Sequence, residues 1–133
     1  MQTVIVDTDV VSYLFKQDTR ATLYQPHLLQ ALPAISFMTL AEMERWALVK
    51  NWGPRRRQQL AEFLQPYVVL LPDATLCRVW AEVVEQVRRC GSSINTADAW
   101  IAATALHFGV PLVTHNRKDY ALVPGLTIIS EAP

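Results

Sequence analysis

The chain holds only four glycines in 133 residues, and no two of them are adjacent. A phosphate-cradling loop built from repeated glycines is therefore excluded. Cysteine is scarcer still. Cys77 and Cys90 fall in one expected helix and stand about 20 Å apart along its axis, too far to bridge within it, so a reducing, cytoplasmic setting is expected. The three histidines, His27, His107 and His115, show no His-x-x-x-His or Cys-His spacing, which argues against zinc. No apolar run approaches the roughly 18 residues of a membrane span, and the amino terminus MQTVIVDTDV carries no basic leader. Net charge is missing too: 12 basic residues balance 12 acidic ones, which argues against a general coat for nucleic acid.

What is plentiful is apolar surface. At 51% hydrophobic, the length suits one domain over residues 1–133 that buries roughly two-thirds of its unfolded surface. TVIV (3–6), AISF (34–37), YVVLL (67–71), PLVT (111–114) and TIIS (127–130) read as buried strands. Helical patterns lie between them, at VVSYLF, 20–32, 39–51, 54–65, 74–90 and 95–108. Gly53-Pro54 separates two of these helices, and Gly91 and Gly109 close two others. Strands alternating with helices and joined by short turns predict an α/β fold, a parallel sheet of about five strands with helices on both faces. In such sheets ligands sit at the carboxyl ends of the strands.

Acidic residues recur at that edge. Asp7 closes the first strand, and its structural reading is a helix cap, which Thr8 or Asp9 would serve equally well. Glu42 stands three residues after Thr39, as in a capping box, and one turn before Arg45. Asp98 heads the apolar helix face of Ile101, Ala102 and Ala105, where a charge needs a partner, either the Asn95 cap or a metal. Asp119 and Asn116 are turn formers just beyond a strand that ends at Thr114. Carboxylates crowded together stay ionised at neutral pH only with a compensating cation, and oxygen-only ligands favour Mg²⁺ or Mn²⁺.

VIVDTDVV, SFMTLAEMERW, NTADAWIAATAL and LVTHNRKDY, in that order, resemble the PIN-domain ribonucleases, particularly the VapC toxins of prokaryotic toxin–antitoxin pairs. The similarity runs from Val4 to the final strand. It implies a PIN-like fold, with the four acidic positions of the family falling on Asp7, Glu42, Asp98 and Asp119 as catalytic and metal-binding residues. Thr114 and Asn116 become their polar companions; separately from the resemblance, His115 and Lys118 stand beside these positions, where they could touch substrate phosphate. Asp9 stands where the family usually has Asn or Ser, leaving ligand, hydrogen-bond acceptor and cap as its three readings. The resemblance further implies single-stranded RNA as substrate, a homodimer, and a cognate antitoxin that inserts into the active-site groove.

Two other readings compete. A PIN-like domain could bind RNA or protein without cutting, which the four filled acidic positions weigh against. An Asp-x-Asp phosphatase would use Asp7 as nucleophile and Asp9 as general acid. It requires a late acidic pair after its Lys, whereas only Asp119 and Glu131 follow Lys118. The run Arg55-Arg56-Arg57 is either a solvated helix face or an RNA-contacting patch.

Overall fold

Val4, Ile5 and Val6 are all buried, as the middle of a parallel sheet covered on both faces requires. They belong to β1 (Gln2–Val6), the central strand of five. The computed structural model describes residues 1–133. After β1 come α1 (Thr8–Lys16), α2 (Ala21–Leu29), β2 (Ala31–Ser36), α3 (Phe37–Val49), α4 (Pro54–Leu64) and β3 (Val68–Leu70). They are followed by α5 (Ala74–Arg89), α6 (Thr96–Phe108), β4 (Leu112–Val113), a 3-10 turn (Arg117–Tyr120) and β5 (Ile128–Ile129). Every strand pairing is parallel, in the spatial order β3-β2-β1-β4-β5. The expected five-stranded parallel α/β sheet is thus what forms.

Successive residues of a strand point to opposite faces, and the two cores separate accordingly. Ile5, Ala34 and Leu112 pack with Leu76, Val83, Ile101 and Ala102 of α5 and α6. On the opposite face Val4, Val6, Ile35 and Val113 pack with Val10, Tyr24, Met43 and Leu60 of α1 to α4. The chain steps from β1 to β2 to β3 in one direction, then returns to lay β4 on the other side of β1. This reversal opens a crevice between the carboxyl ends of β1 and β4. Asp7 and Thr114 are the residues that immediately follow those two ends.

One boundary differs from the sequence reading in a way that matters for the site. β2 starts at Ala31 and stops at Ser36, so that α3 begins at Phe37. The reason is the Ser36 hydroxyl, which accepts the Met38 N–H at 3.0 Å and caps the helix three residues earlier than Thr39 would. The arginine run also resolves differently. The Arg56 guanidinium lies 4.2 Å from the Phe15 ring centre and 5.1 Å from that of Trp52, while Arg57 donates to the Trp52 carbonyl at 3.1 Å. Two of the three arginines therefore cover an aromatic corner, leaving Arg55 as the uncommitted one. Cys77 and Cys90 are free and exposed. No helix is long and apolar enough to cross a membrane.

The alanines of α6 are what let this helix lie close to the sheet: Ala99, Ala102, Ala103 and Ala105 have no exposed surface. Ala102→Leu is expected to lower the unfolding free energy by about 1–3 kcal/mol through overpacking. Urea denaturation measures it, and an unchanged midpoint would show room beside the helix that the packing denies.

Candidate active site

Asp7 is placed by backbone before its side chain is considered. Its N–H donates to the Val113 carbonyl at 2.9 Å, which fixes it between β1 and β4. It is also the N-cap residue of α1, so the cap falls on Asp7 rather than on Thr8 or Asp9. Only 4% of Asp7 is exposed. Oδ1 accepts the Thr8 N–H at 2.7 Å, and Oδ2 accepts the hydroxyls of Thr114 at 2.7 Å and Tyr120 at 3.0 Å. A carboxylate has about four acceptor positions, so one on Oδ1 remains free. Burial, reinforced by the charge of Asp9, raises the Asp7 carboxyl to about 7 in spite of these three bonds.

Tyr120 joins Asp7 to Asp98. The same hydroxyl lies 3.2 Å from Asp98 Oδ1, so one phenolic proton stands between two carboxylates. Burial and those two charges push the phenol far above its ordinary range, which keeps it a donor. Asp98, half-buried in the first turn of α6, is itself raised by burial, with Asp119, Glu42 and Asp9 adding to the effect. The expected capping partner, Asn95, instead accepts the Ala97 N–H at 2.8 Å.

Glu42 loses both of its structural readings. It is not the end of a capping box, because α3 is capped by Ser36, and it makes no ion pair with Arg45. Instead Thr8 donates to Glu42 Oε1 at 2.8 Å, and the Thr8 oxygen stands 2.9 Å from the buried Thr39 hydroxyl. Asp119 sits exposed on the 3-10 turn, makes no side-chain hydrogen bond, and shares with Asp98 a cleft of about 500 Å³. Thr114 donates to Asp7 and accepts the Asn116 N–H at 3.0 Å. Asn116 thus folds the loop over Thr114 through its backbone, while its side chain stays exposed.

Asp9 adds its charge to this centre but spends both carboxylate oxygens on backbone. Its Oδ1 accepts the Val10 N–H at 2.7 Å and its Oδ2 accepts the His115 N–H at 3.0 Å. Of its three readings, the acceptor is the one the geometry realises: Asp9 tethers the loop that follows β4. His115 is held further by the Tyr24 hydroxyl on its Nδ1, and Lys118 is exposed on the 3-10 turn.

Three contributors escaped the sequence reading. Thr8 and Thr39 were legible only as candidate helix caps, not as partners of Glu42. Tyr120 did leave a trace, as the aromatic residue directly after Asp119 in a polar turn. An aromatic side chain buried at such a place needs a partner for its hydroxyl.

The carboxylates receive no cation from the chain. The ion pairs are Arg20 with Asp18, His27 with Glu131, and Arg88 and Arg89 with Glu85, and none of them includes Asp7, Asp9, Glu42, Asp98 or Asp119. No three ligating side chains close on one point as they stand. Still, the donor set suits a hard divalent cation, being entirely carboxylate oxygen with acceptor positions free on Asp7, Asp98, Glu42 and Asp119. A phosphoryl-accepting role for Asp7 fits less well, since it is buried and Oδ2 is doubly engaged.

The Asp7 carboxyl, at 3.8 in the ordinary case and about 7 when folded, binds its proton more tightly in the native state. Between those pH values the folded chain holds more protons than the unfolded one, so stability falls as pH rises, by at most about 1.4 kcal/mol per pH unit from this group. Asp9 and Asp98, also raised, act in the same direction. Urea midpoints in EDTA are therefore expected to decline across this window, and to decline less steeply in Asp7→Asn. Equal slopes would place the proton on another group.

Comparison with known proteins bears on the family and the fold. The PIN domain family model matches residues 4–125. Ribonuclease VapC1 of Haemophilus influenzae is 26% identical over 126 residues, 92% of either chain. Ribonuclease VapC4 of Mycobacterium tuberculosis is 30% identical over 99 residues, 72% of this chain and 75% of that one. Among solved structures, VapBC2 from Rickettsia felis bound to a DNA fragment from their promoter shares the fold, with a TM-score of 0.85 at 21% identity over 97% of this chain and 98% of that one. With a buried aspartate at the switch point of a 3-2-1-4-5 parallel sheet and a family match over nearly its whole length, the chain belongs to the PIN-domain family.

Proposed function

We propose that this protein is a metal-dependent endoribonuclease that hydrolyses phosphodiester bonds of single-stranded RNA, as the toxin of a prokaryotic toxin–antitoxin pair. One observation carries the reading: Asp7 and Asp98 share the Tyr120 hydroxyl, Glu42 and Asp119 act on Asp98 electrostatically, and no lysine or arginine neutralises them. Asp7 and Asp98 would hold the principal Mg²⁺ or Mn²⁺, with Glu42 and Asp119 completing the site directly or through water. When bound, the ion orients and acidifies a water and neutralises charge growing on the leaving oxygen of the phosphodiester.

The chain's own residues do the rest. Tyr120 fixes the spacing of Asp7 and Asp98 and remains a proton donor between them. Thr114 anchors Asp7 from the β4 side, and with Asn116 shapes the loop that faces substrate. Thr8 aims one oxygen of Glu42 and leaves Oε2 free to accept a proton from the attacking water. Asp119 contributes an exposed carboxylate at the cleft mouth.

The relatives are ribonucleases by name, and the fold is shared with VapBC assemblies, which supports RNA as substrate and an antitoxin as partner. Homodimerisation and a cytoplasmic location complete the proposal. The non-cleaving reading is weighed against by the retention of all four acids, of which Asp7 and Asp98 share the Tyr120 hydroxyl and Asp98 and Asp119 line one cleft.

Asp98→Asn is expected to reduce cleavage of single-stranded RNA by about a hundredfold or more while the fold is kept. In the wild type, saturation with Mg²⁺ at a hundredfold excess over Kd is expected to add about 2.7 kcal/mol of stability. That gain should be lost in Asp98→Asn. Full activity of the variant, or an undiminished thermal shift, would remove Asp98 from the metal site.

Asp9→Asn is expected to act otherwise, because the amide oxygen can still accept the His115 N–H. RNA cleavage should persist at saturating metal in a parallel assay. Loss equal to that of Asp7→Asn would make Asp9 a ligand in its own right.

A further inference from the structure

Two clefts flank the 3-10 turn, and Lys118 lines both. The first, of about 500 Å³, contains Asp98 and Asp119 together with Ser92, Ser93 and Asn95. The second, of about 430 Å³, is lined by His115, Asn116, Arg117 and Lys118, with Ala121 and the carboxyl-terminal Ala132 and Pro133. We propose that the second cleft is a phosphate-binding subsite for RNA, the strand crossing the Arg117–Lys118 turn so that a phosphate beyond the scissile one is held there. The proposal rests on the ribonuclease reading for its substrate.

The wall of this cleft is preorganised. Tyr24 is fully buried, sets its hydroxyl against His115 Nδ1, and accepts the Glu131 N–H at 3.1 Å. The imidazole also meets the edges of Tyr13 and Tyr24 at 5.6 and 5.7 Å between ring centres. Its backbone is tied to Asp9 at 3.0 Å. Nε2 is thereby the one ring nitrogen without a protein partner, and since no buried side-chain nitrogen lacks a partner, it is open to solvent.

Charge follows the same division. Arg117 and Lys118 are exposed and make no ion pair. The nearby Asp9 has both oxygens turned onto backbone N–H groups, so it does not pair with them. Lys118 stands between the two clefts and Arg117 lines the second, beyond the carboxylates of the first, which suits a polyanion longer than the bond being cut. A dinucleotide reaching the first cleft would leave the second unused.

The test uses the full chain and a short fluorescein-labelled oligouridine, followed by anisotropy in EDTA across a salt titration. Arg117→Ala/Lys118→Ala is expected to weaken binding more than tenfold and to reduce the magnitude of the log–log salt slope by about 1.4, two contacts at about 0.7 each on a single strand. Lys50→Ala/Arg78→Ala removes the same net charge from exposed positions elsewhere and should leave the slope unchanged. Absence of wild-type binding, equal losses in the two double variants, or no loss in either would overturn the subsite. Local loss of binding in a protein that fails to cleave RNA with Mg²⁺ would keep the subsite and reject the ribonuclease reading. Cleavage with indifferent variants would do the reverse.

Discussion

A single hydroxyl, that of Tyr120, stands between two carboxylates brought from distant parts of the chain, and the arrangement of the crevice depends on it. Asp7 arrives at the end of the central strand and Asp98 in the first turn of the most buried helix. Alone, each charge would be costly at such a depth. The phenol supplies one proton to both and is held in place by its own burial at 1% exposure. It therefore fixes the distance between the two acids by packing rather than by opposite charge. A lysine at that place would neutralise the site that a divalent cation is proposed to fill.

Around this contact, hydroxyls take the place that cationic partners have in ordinary ion pairs. Thr114 holds Asp7 and Thr8 holds Glu42, while Thr39 backs Thr8. Hydroxyl donors orient carboxylates without cancelling their charge, which keeps the cluster repulsive, as the proposed metal site would require. Asp9 shows the other solution. Backbone N–H groups occupy both of its oxygens, so that its charge serves to position the loop carrying His115.

Much of this was legible in the sequence because the apolar strand runs and the glycine stops announce a parallel sheet, and Asp7 and Asp119 follow strands at its carboxyl edge. What was not legible depends on contacts across the sheet. Ser36 rather than Thr39 caps α3 because the hydrogen bond to Met38 turns the chain early, and this frees Thr39 to support the site. The Tyr120 bridge spans 113 positions to Asp7, a separation no local pattern encodes. The arginine run read as a charge feature, yet Arg56 and Arg57 are spent on Phe15 and Trp52, which lie outside their own helix. Long side chains of this kind pack through their stems and flat groups as much as through charge.

The sheet also ends abruptly on both sides. Its outer strands, β3 and β5, have three and two residues. An open edge is a template on which another chain can extend the ladder, and its reach is set by strand length. Edges this brief offer only a few unpaired backbone groups to a stranger. Association with another copy or a partner must therefore be read from side-chain relief on helices and loops, where recognition is selective, and growth of the sheet from molecule to molecule is discouraged by construction.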